Sequence, residues 1–172
     1  MPPELLKLRH WSLTDQIPTQ MPVLDAWIDR AAQDRPLAGV TALMLQHQLG
    51  NQVPQTAALI ALGLDPRNIY WIDIPYTSTP AVRSALRSLG IPAGNLITGD
   101  YRLLEDYAPY QRLRVQAFLR SMATNPPERL LVLDDGSYVV EALAGMKDRL
   151  PHLAIVEQTT RGLIKIEESA AL

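Results

Sequence analysis

Cysteine is absent from this 172-residue chain, which excludes disulfides, thiol catalysis and Cys-ligated metals. No apolar run approaches the roughly twenty residues of a membrane-spanning helix, and the opening MPPELLKLRHW lacks the long apolar core of a signal peptide. An excess of one charge is missing too. The net charge is −2 with both signs scattered, so there is no basic stripe for nucleic acid and no Lys/Arg run for a membrane surface. No G-x-G-x-x-G occurs, so the dinucleotide fingerprint is absent. Internal repeats and low-complexity linkers are absent as well. These absences predict a cytoplasmic protein that partners neither nucleic acid nor membrane.

What is present is ordinary for a globular domain: 47% apolar and 20% charged residues, in a length that suits one domain with a real core. Residues 1–20 carry mixed signals and read as an N-terminal arm; residues 21–172 read as one α/β domain. Five short segments have strand character: Val40–Leu45, Ile69–Ile74, Asn95–Thr98, Leu130–Leu133 and Leu153–Val156. Helical spacing occupies Met21–Asp34, Gln55–Leu62, Pro80–Leu89, Tyr107–Met122, Val139–Leu150 and Leu163–Leu172. Thr79-Pro80 supplies a capping hydroxyl and a proline for a first helical turn, and Gly63 and Gly90 stand where left-handed caps are wanted. Apolar runs alternating with helices predict strands buried on both faces and joined by right-handed crossovers. The expected fold is a three-layer, doubly wound, mostly parallel five-stranded α/β sheet. It is Rossmann-like or flavodoxin-like, in the order 3-2-1-4-5.

That order brings His47–Gln55 beside Asp134–Asp135, with Gln158–Arg161 close by. Ligands of open parallel sheets bind at this carboxyl edge. LDDGS and EQTTRG, each following an apolar strand, place polar side chains there. Each has a plain reading beside the functional one. Asp134 and Asp135 can cap a helix start and offset its dipole, or contact a ligand; Asp134 reads as the structural member. Thr159 and Thr160 can cap the last helix, while Arg161 beside that helix start can fork onto a phosphate or carboxylate. His47 is a surface histidine or a ligand contact, and nothing around it has metal-ligand spacing, so no metal site is expected. Tyr101, Tyr107 and Tyr110 read as a surface helix start. Trp11, Trp27 and Trp71 read as core or interface packing.

Several segments resemble S-adenosylhomocysteine hydrolase (adenosylhomocysteinase). MPVL…RPLAG, QTAALIALG, YTSTPAVRSALRSLGIP, LDDGS and EQTTRG resemble five of that family's motifs in the same order, from about Met21 to Ile166. The family is NAD-dependent. It cleaves S-adenosylhomocysteine to adenosine and homocysteine by transient oxidation of the ribose 3′-hydroxyl. The resemblance implies that Asp135 holds the catalytic aspartate position and that Gln158 replaces the catalytic glutamate. It puts His47, Gln55, Thr77 and Ser78 in the substrate site. It puts Thr159, Thr160 and Arg161 near the nicotinamide cofactor, where Arg161 replaces a third threonine. An amide at Gln158 keeps hydrogen bonding but cannot exchange a proton at neutral pH. The family's catalytic lysine and glycine-rich dinucleotide fold have no counterpart in this chain. The resemblance therefore implies NAD only through an additional domain or chain.

The expected function is binding of an adenosine-type nucleoside or nucleotide by a domain that is not a complete hydrolase alone. Two rivals stand beside it. One is a subunit or fragment of an NAD-dependent hydrolase-like enzyme, partnered by a separate NAD-binding domain or by further copies; the ending GLIKIEESAAL, which stops within a helical pattern, fits a fragment. The other is a protein-interaction module with a vestigial pocket, for which an exposed apolar patch around Trp11 or Trp27 would speak.

Overall fold

The computed structural model describes residues 16–18, 21–74, 79–99, 107–143, 149–150 and 152–170. Its five strands are β1 (Val40–Gln46), β2 (Ile69–Asp73), β3 (Leu96–Ile97), β4 (Arg129–Asp134) and β5 (Leu153–Glu157). They form one sheet in the order β3-β2-β1-β4-β5, and every pairing is parallel. The helices are α1 (Pro22–Ala31), α2 (Gln52–Ala61), α3 (Pro80–Ser88), α4 (Ala108–Thr124), α5 (Tyr138–Ala142) and α6 (Thr160–Ala170).

Strand alternation sorts the core into two layers. Val40, Ala42 and Met44 of β1 pack with Ile69 and Trp71 of β2, Val53 of α2, and Val82 and Leu86 of α3. Leu43 and Leu45 point the other way, to Val115 and Leu119 of α4 and to Tyr138, Val139 and Ala142 of α5. The crossovers before and after the β1–β4 pair thus lie on opposite faces, and the sheet's switch point falls between β1 and β4. The Trp71 indole is fully buried, and its N–H donates to the Gln46 carbonyl at 3.0 Å, so no polar atom of the ring is left unpaired.

The punctuation residues act as their chemistry suggests. The Thr79 hydroxyl accepts from the Val82 amide at 3.3 Å, with Pro80 in the first turn of α3. Gly63 has φ +104°, and a side chain there would crowd the backbone of Arg35 and Ala38. Polar anchors hold the far edge of the sheet. Asn95 donates its side-chain amide to the carbonyls of Arg67 (2.9 Å) and Ile69 (3.0 Å). Buried Asp73, at the end of β2, pairs with Arg114 of α4 at 3.2 Å and accepts from the Gly99 amide at 3.0 Å.

Some elements differ from their sequence-based outlines. β3 is two residues rather than Asn95–Thr98, because Ala93–Asn95 closes into a 3₁₀ turn just before it. β5 is not buried on both faces: its residues alternate between half-buried and exposed, and Val156 is 45% exposed, as fits an edge strand covered on one side. The described helix after β4 spans Tyr138–Ala142, and residues 144–148 of the expected Val139–Leu150 stretch lie outside the described residues. α2 starts at Gln52 and α6 at Thr160, each three residues before the apolar periodicity begins. α1 has no buried residue, and Trp27 is 61% exposed, so this tryptophan is not a core residue. Trp11 and Tyr101 lie outside the described residues.

Candidate functional site

Register builds the site. Leu45 of β1 pairs with Asp134 of β4, and Asp134 pairs with Glu157 of β5. One residue beyond, the pairing continues without regular strand: the Asp135 amide donates to the Leu45 carbonyl, and the Gln158 amide donates to the Asp134 carbonyl, both at 3.0 Å. His47, Asp135 and Thr159 therefore leave the sheet at the same edge.

The chain must then turn sharply from β4 into α5. Gly136 (φ +113°) and Ser137 (φ +61°) do this with two consecutive left-handed residues. Only glycine adopts that region freely, and the serine conformation has to be held by its surroundings. Glu157 holds it. Its carboxylate accepts from the amides of Gly136 (3.2 Å), Ser137 (2.7 Å) and Thr159 (2.8 Å), and from the Thr159 hydroxyl (2.6 Å). The Thr159 oxygen in turn accepts from the Gly162 amide at 3.0 Å, capping α6. Gly162 is needed for this closeness, since a Cβ there would overlap the Glu157 carboxylate. Lys165, one turn further along α6, donates to the Gly136 carbonyl at 2.9 Å and lies 4.9 Å from the centre of the Tyr138 ring.

Between these loops lies a cavity of about 160 Å³. His47, Asp135, Thr159, Arg161 and Lys165 line it. The rings of Tyr107 and Tyr138 contribute the aromatic surface, their hydroxyls 3.4 Å apart. A larger hollow of about 520 Å³ lies against Pro18, Met21, Val23 and Trp27. Its lining is apolar and has no titratable group, whereas the smaller cavity combines a histidine, a carboxyl, two cations and two phenols.

Burial dominates the electrostatics. It lowers the His47 pKa, while the charge of Asp135 pulls the other way. Burial raises the pKa of Asp135, opposed by His47 and assisted by Glu157. Burial also holds the Tyr138 phenol well above its ordinary range, with its Tyr107 contact adding to the rise. The cavity thus presents a histidine favoured in its neutral form, a carboxyl and a neutral phenol, a set suited to hydroxyl groups. Asp134 is set apart from it. Its side chain is fully buried, one oxygen accepts from the Val139 amide at 2.8 Å, and the other has no partner among the described residues. Burial pushes its pKa up to about 6; the Val139 amide acts against that rise and the charge of Glu157 adds to it. Its geometry is that of a helix-capping carboxylate, the plain reading of LDDGS.

Four of the sequence-predicted residues meet in the cavity: His47, Asp135, Thr159 and Arg161. Gln55 is half-buried on α2 and is not part of the lining. Gln158 and Thr160 are exposed beside the cavity and do not line it. Thr77 and Ser78 lie outside the described residues. Sequence reasoning missed Lys165, Tyr138 and the anchoring role of Glu157. A signal for Lys165 was available, because it stands four residues after Arg161 and so on the same helix face. Among the described residues no cluster of His, Asp and Glu is arranged to hold a metal ion, and no helix is long and apolar enough to cross a membrane.

No family model matches the chain. It is 30% identical over 152 residues to an uncharacterized protein of Mycobacterium tuberculosis strain CDC 1551 / Oshkosh, and to one of strain ATCC 25618 / H37Rv to the same extent. The match covers 86% of this chain but 30% of each relative, so the chain spans less than a third of their length.

Proposed function

We propose that this domain binds an adenosine-type nucleoside or nucleotide at the carboxyl edge of its sheet, with the sugar end seated in the cavity between His47, Asp135 and Tyr138. The observation that carries the reading is the meeting of His47 and Asp135 at the switch point, lining one cavity with Thr159 and Arg161. The Asp135 side chain makes no hydrogen bond to any described residue, which leaves its oxygens able to accept from ligand hydroxyls. At about 160 Å³ the cavity is smaller than the roughly 300 Å³ or more typical of whole small-molecule sites. A sugar fits inside; the base then lies outside. The resemblance to adenosylhomocysteinase at LDDGS and EQTTRG supports the same class of ligand.

NAD enters this reading only through another domain or chain. The turn after β1, where a dinucleotide fold brings glycine backbone against the pyrophosphate, has the sequence His47-Gln48-Leu49-Gly50. Gly50 is already abutted there: a Cβ on it would overlap the Gln16 carbonyl. These residues do not fit a dinucleotide. The greater length of the mycobacterial relatives is consistent with such domains belonging to larger proteins. With an amide, Gln158, where the resemblance puts the family's catalytic glutamate, we assign the domain binding rather than a complete hydrolytic cycle.

Isothermal titration with adenosine tests the reading. The expected result is saturable binding that Asp135→Asn weakens about tenfold, the loss of one charged acceptor. No heat up to millimolar adenosine, or equal affinity in the variant, would remove it.

One observation favours a second reading, an interaction surface. Val23 (77% exposed) and Trp27 (61% exposed) stand one turn apart on α1, beside the large apolar hollow. That face suits a second copy of the chain or a cofactor-bearing domain. It is separate from the cavity in its lining residues, so the two readings are compatible.

A further inference from the structure

We infer that Arg161 and Lys165 form an anion subsite in this cavity that takes a phosphate monoester, so that the preferred ligand is a nucleotide and not the free nucleoside. The inference rests on the nucleoside reading for the remainder of the ligand.

The argument starts from which polar groups of the cavity are already committed. Glu157, the carboxylate next to the site, accepts from three amides and one hydroxyl, at 2.6–3.2 Å. Thr159 donates to Glu157 and accepts from Gly162, so its hydroxyl is used in both directions. Lys165 is held in place by the Gly136 carbonyl at 2.9 Å, with the Glu141 carboxylate further off at 3.8 Å. An ammonium has three donors, and this one is half-buried. Arg161 has neither a hydrogen bond nor an ion pair to any described residue. Its charge nevertheless acts on the phenol of Tyr138, a second lining residue. The lining therefore holds two cations, Arg161 and Lys165, and one carboxylate, Asp135, with Glu157 and Glu141 just outside it; among the described residues Lys165 is held by its partners and Arg161 has none.

The shape of those donors selects the anion. A guanidinium fork takes two oxygens of one group, and an ammonium acts as a point charge for a third. A carboxylate has two oxygens and satisfies only the fork. A phosphate monoester has three terminal oxygens and close to two negative charges, matching both groups. Arg161 and Lys165 are four residues apart on α6, hence one above the other on the same face. Lys165 is half-buried, so its charge-assisted bond counts for more than it would in open water, while exposed Arg161 contributes mainly the geometry of its fork.

Titration with three probes, inorganic phosphate, AMP and adenosine, in the wild-type chain and in Arg161→Ala tests this. Arg161 is exposed, so the variant is expected to fold, which its thermal transition checks. The expected result is AMP binding about tenfold or more tighter than adenosine. That ratio falls to near one in Arg161→Ala, and inorganic phosphate displaces AMP from the wild type. Adenosine binding as tightly as AMP, or a ratio that survives the substitution, overturns the anion subsite and leaves the nucleoside reading standing. If neither adenosine nor AMP binds, the nucleoside reading falls and the ligand class assigned here falls with it. Inorganic phosphate binding lost in Arg161→Ala would then retain the anion subsite alone, and its absence would overturn that too.

Discussion

Glu157→Ala is expected to lower the unfolding free energy by about 3 kcal/mol, the largest effect of any single change considered for this domain. The reason is the number of donors that converge on one carboxylate. The amides of Gly136, Ser137 and Thr159 and the Thr159 hydroxyl all point at it, at 2.6–3.2 Å. A hydrogen bond to a charged group contributes about 1.5–3 kcal/mol, and leaving a buried donor unpaired costs about 1–3 kcal/mol. Glu157 is half-buried, so water recovers part of the loss, and relief of its repulsion with Asp134 and Asp135 recovers some more. Those offsets keep the expected value near the middle of the range and below a plain sum. Glu157→Gln sharpens the test. The amide nitrogen must face an amide N–H, so this near-isosteric change is expected to cost most of what alanine costs. Urea denaturation of the two variants measures it. A loss under about 1 kcal/mol in both would show that Glu157 is not what holds the Gly136–Ser137 turn.

The second large effect is a pH dependence carried by Asp134. In the folded chain burial raises its pKa from 3.8 to about 6. A carboxyl with a raised folded pKa binds more protons when folded than when unfolded, so it favours the native state at low pH. That contribution is fully present below the unfolded value and is lost as pH rises through about 6. Relative to Asp134→Asn, which keeps an acceptor for the Val139 amide but has no charge, the wild type is expected to gain about 2 kcal/mol between pH 7.5 and pH 4.5. Comparing the two chains removes the contributions of His47 and the other titrating groups, which both share. Parallel stability curves for wild type and variant would contradict the account of Asp134 as a buried carboxylate ionised at a cost.

Much of the fold was legible because β1, β2 and β4 are buried on both faces. Sequences such as VTALML and LLVL then have no competing interpretation, and their alternation with capped helices leaves few topologies. The meeting of His47 with Asp135 followed from strand order alone, because a switch point sets the two adjacent loops side by side. Edge elements were less legible. β5 pairs on one side only and needs no continuous apolar run, and β3 is cut short by the turn at Ala93–Asn95. The site's cations were harder still. Whether Lys165 reaches the Gly136 carbonyl depends on the rotational phase of α6 against the β4–α5 turn, a tertiary relationship that no local pattern encodes. Glu157 looked like one more residue at a strand end, because the sequence does not show that three amides aim at it. The departure at Gln55 has the same origin. A motif fixes its place on α2, but not the direction in which that helix presents it.

The central claim, that the carboxyl edge of this sheet binds a nucleoside or nucleotide, is tested most directly by amide chemical shifts during titration of the ¹⁵N-labelled chain with AMP and adenosine. The expected result is saturable shifts confined to His47, Asp135–Tyr138 and Thr159–Lys165, with Val23 and Trp27 of α1 unmoved. Shifts centred on α1, or none at ligand concentrations in the millimolar range, would contradict it.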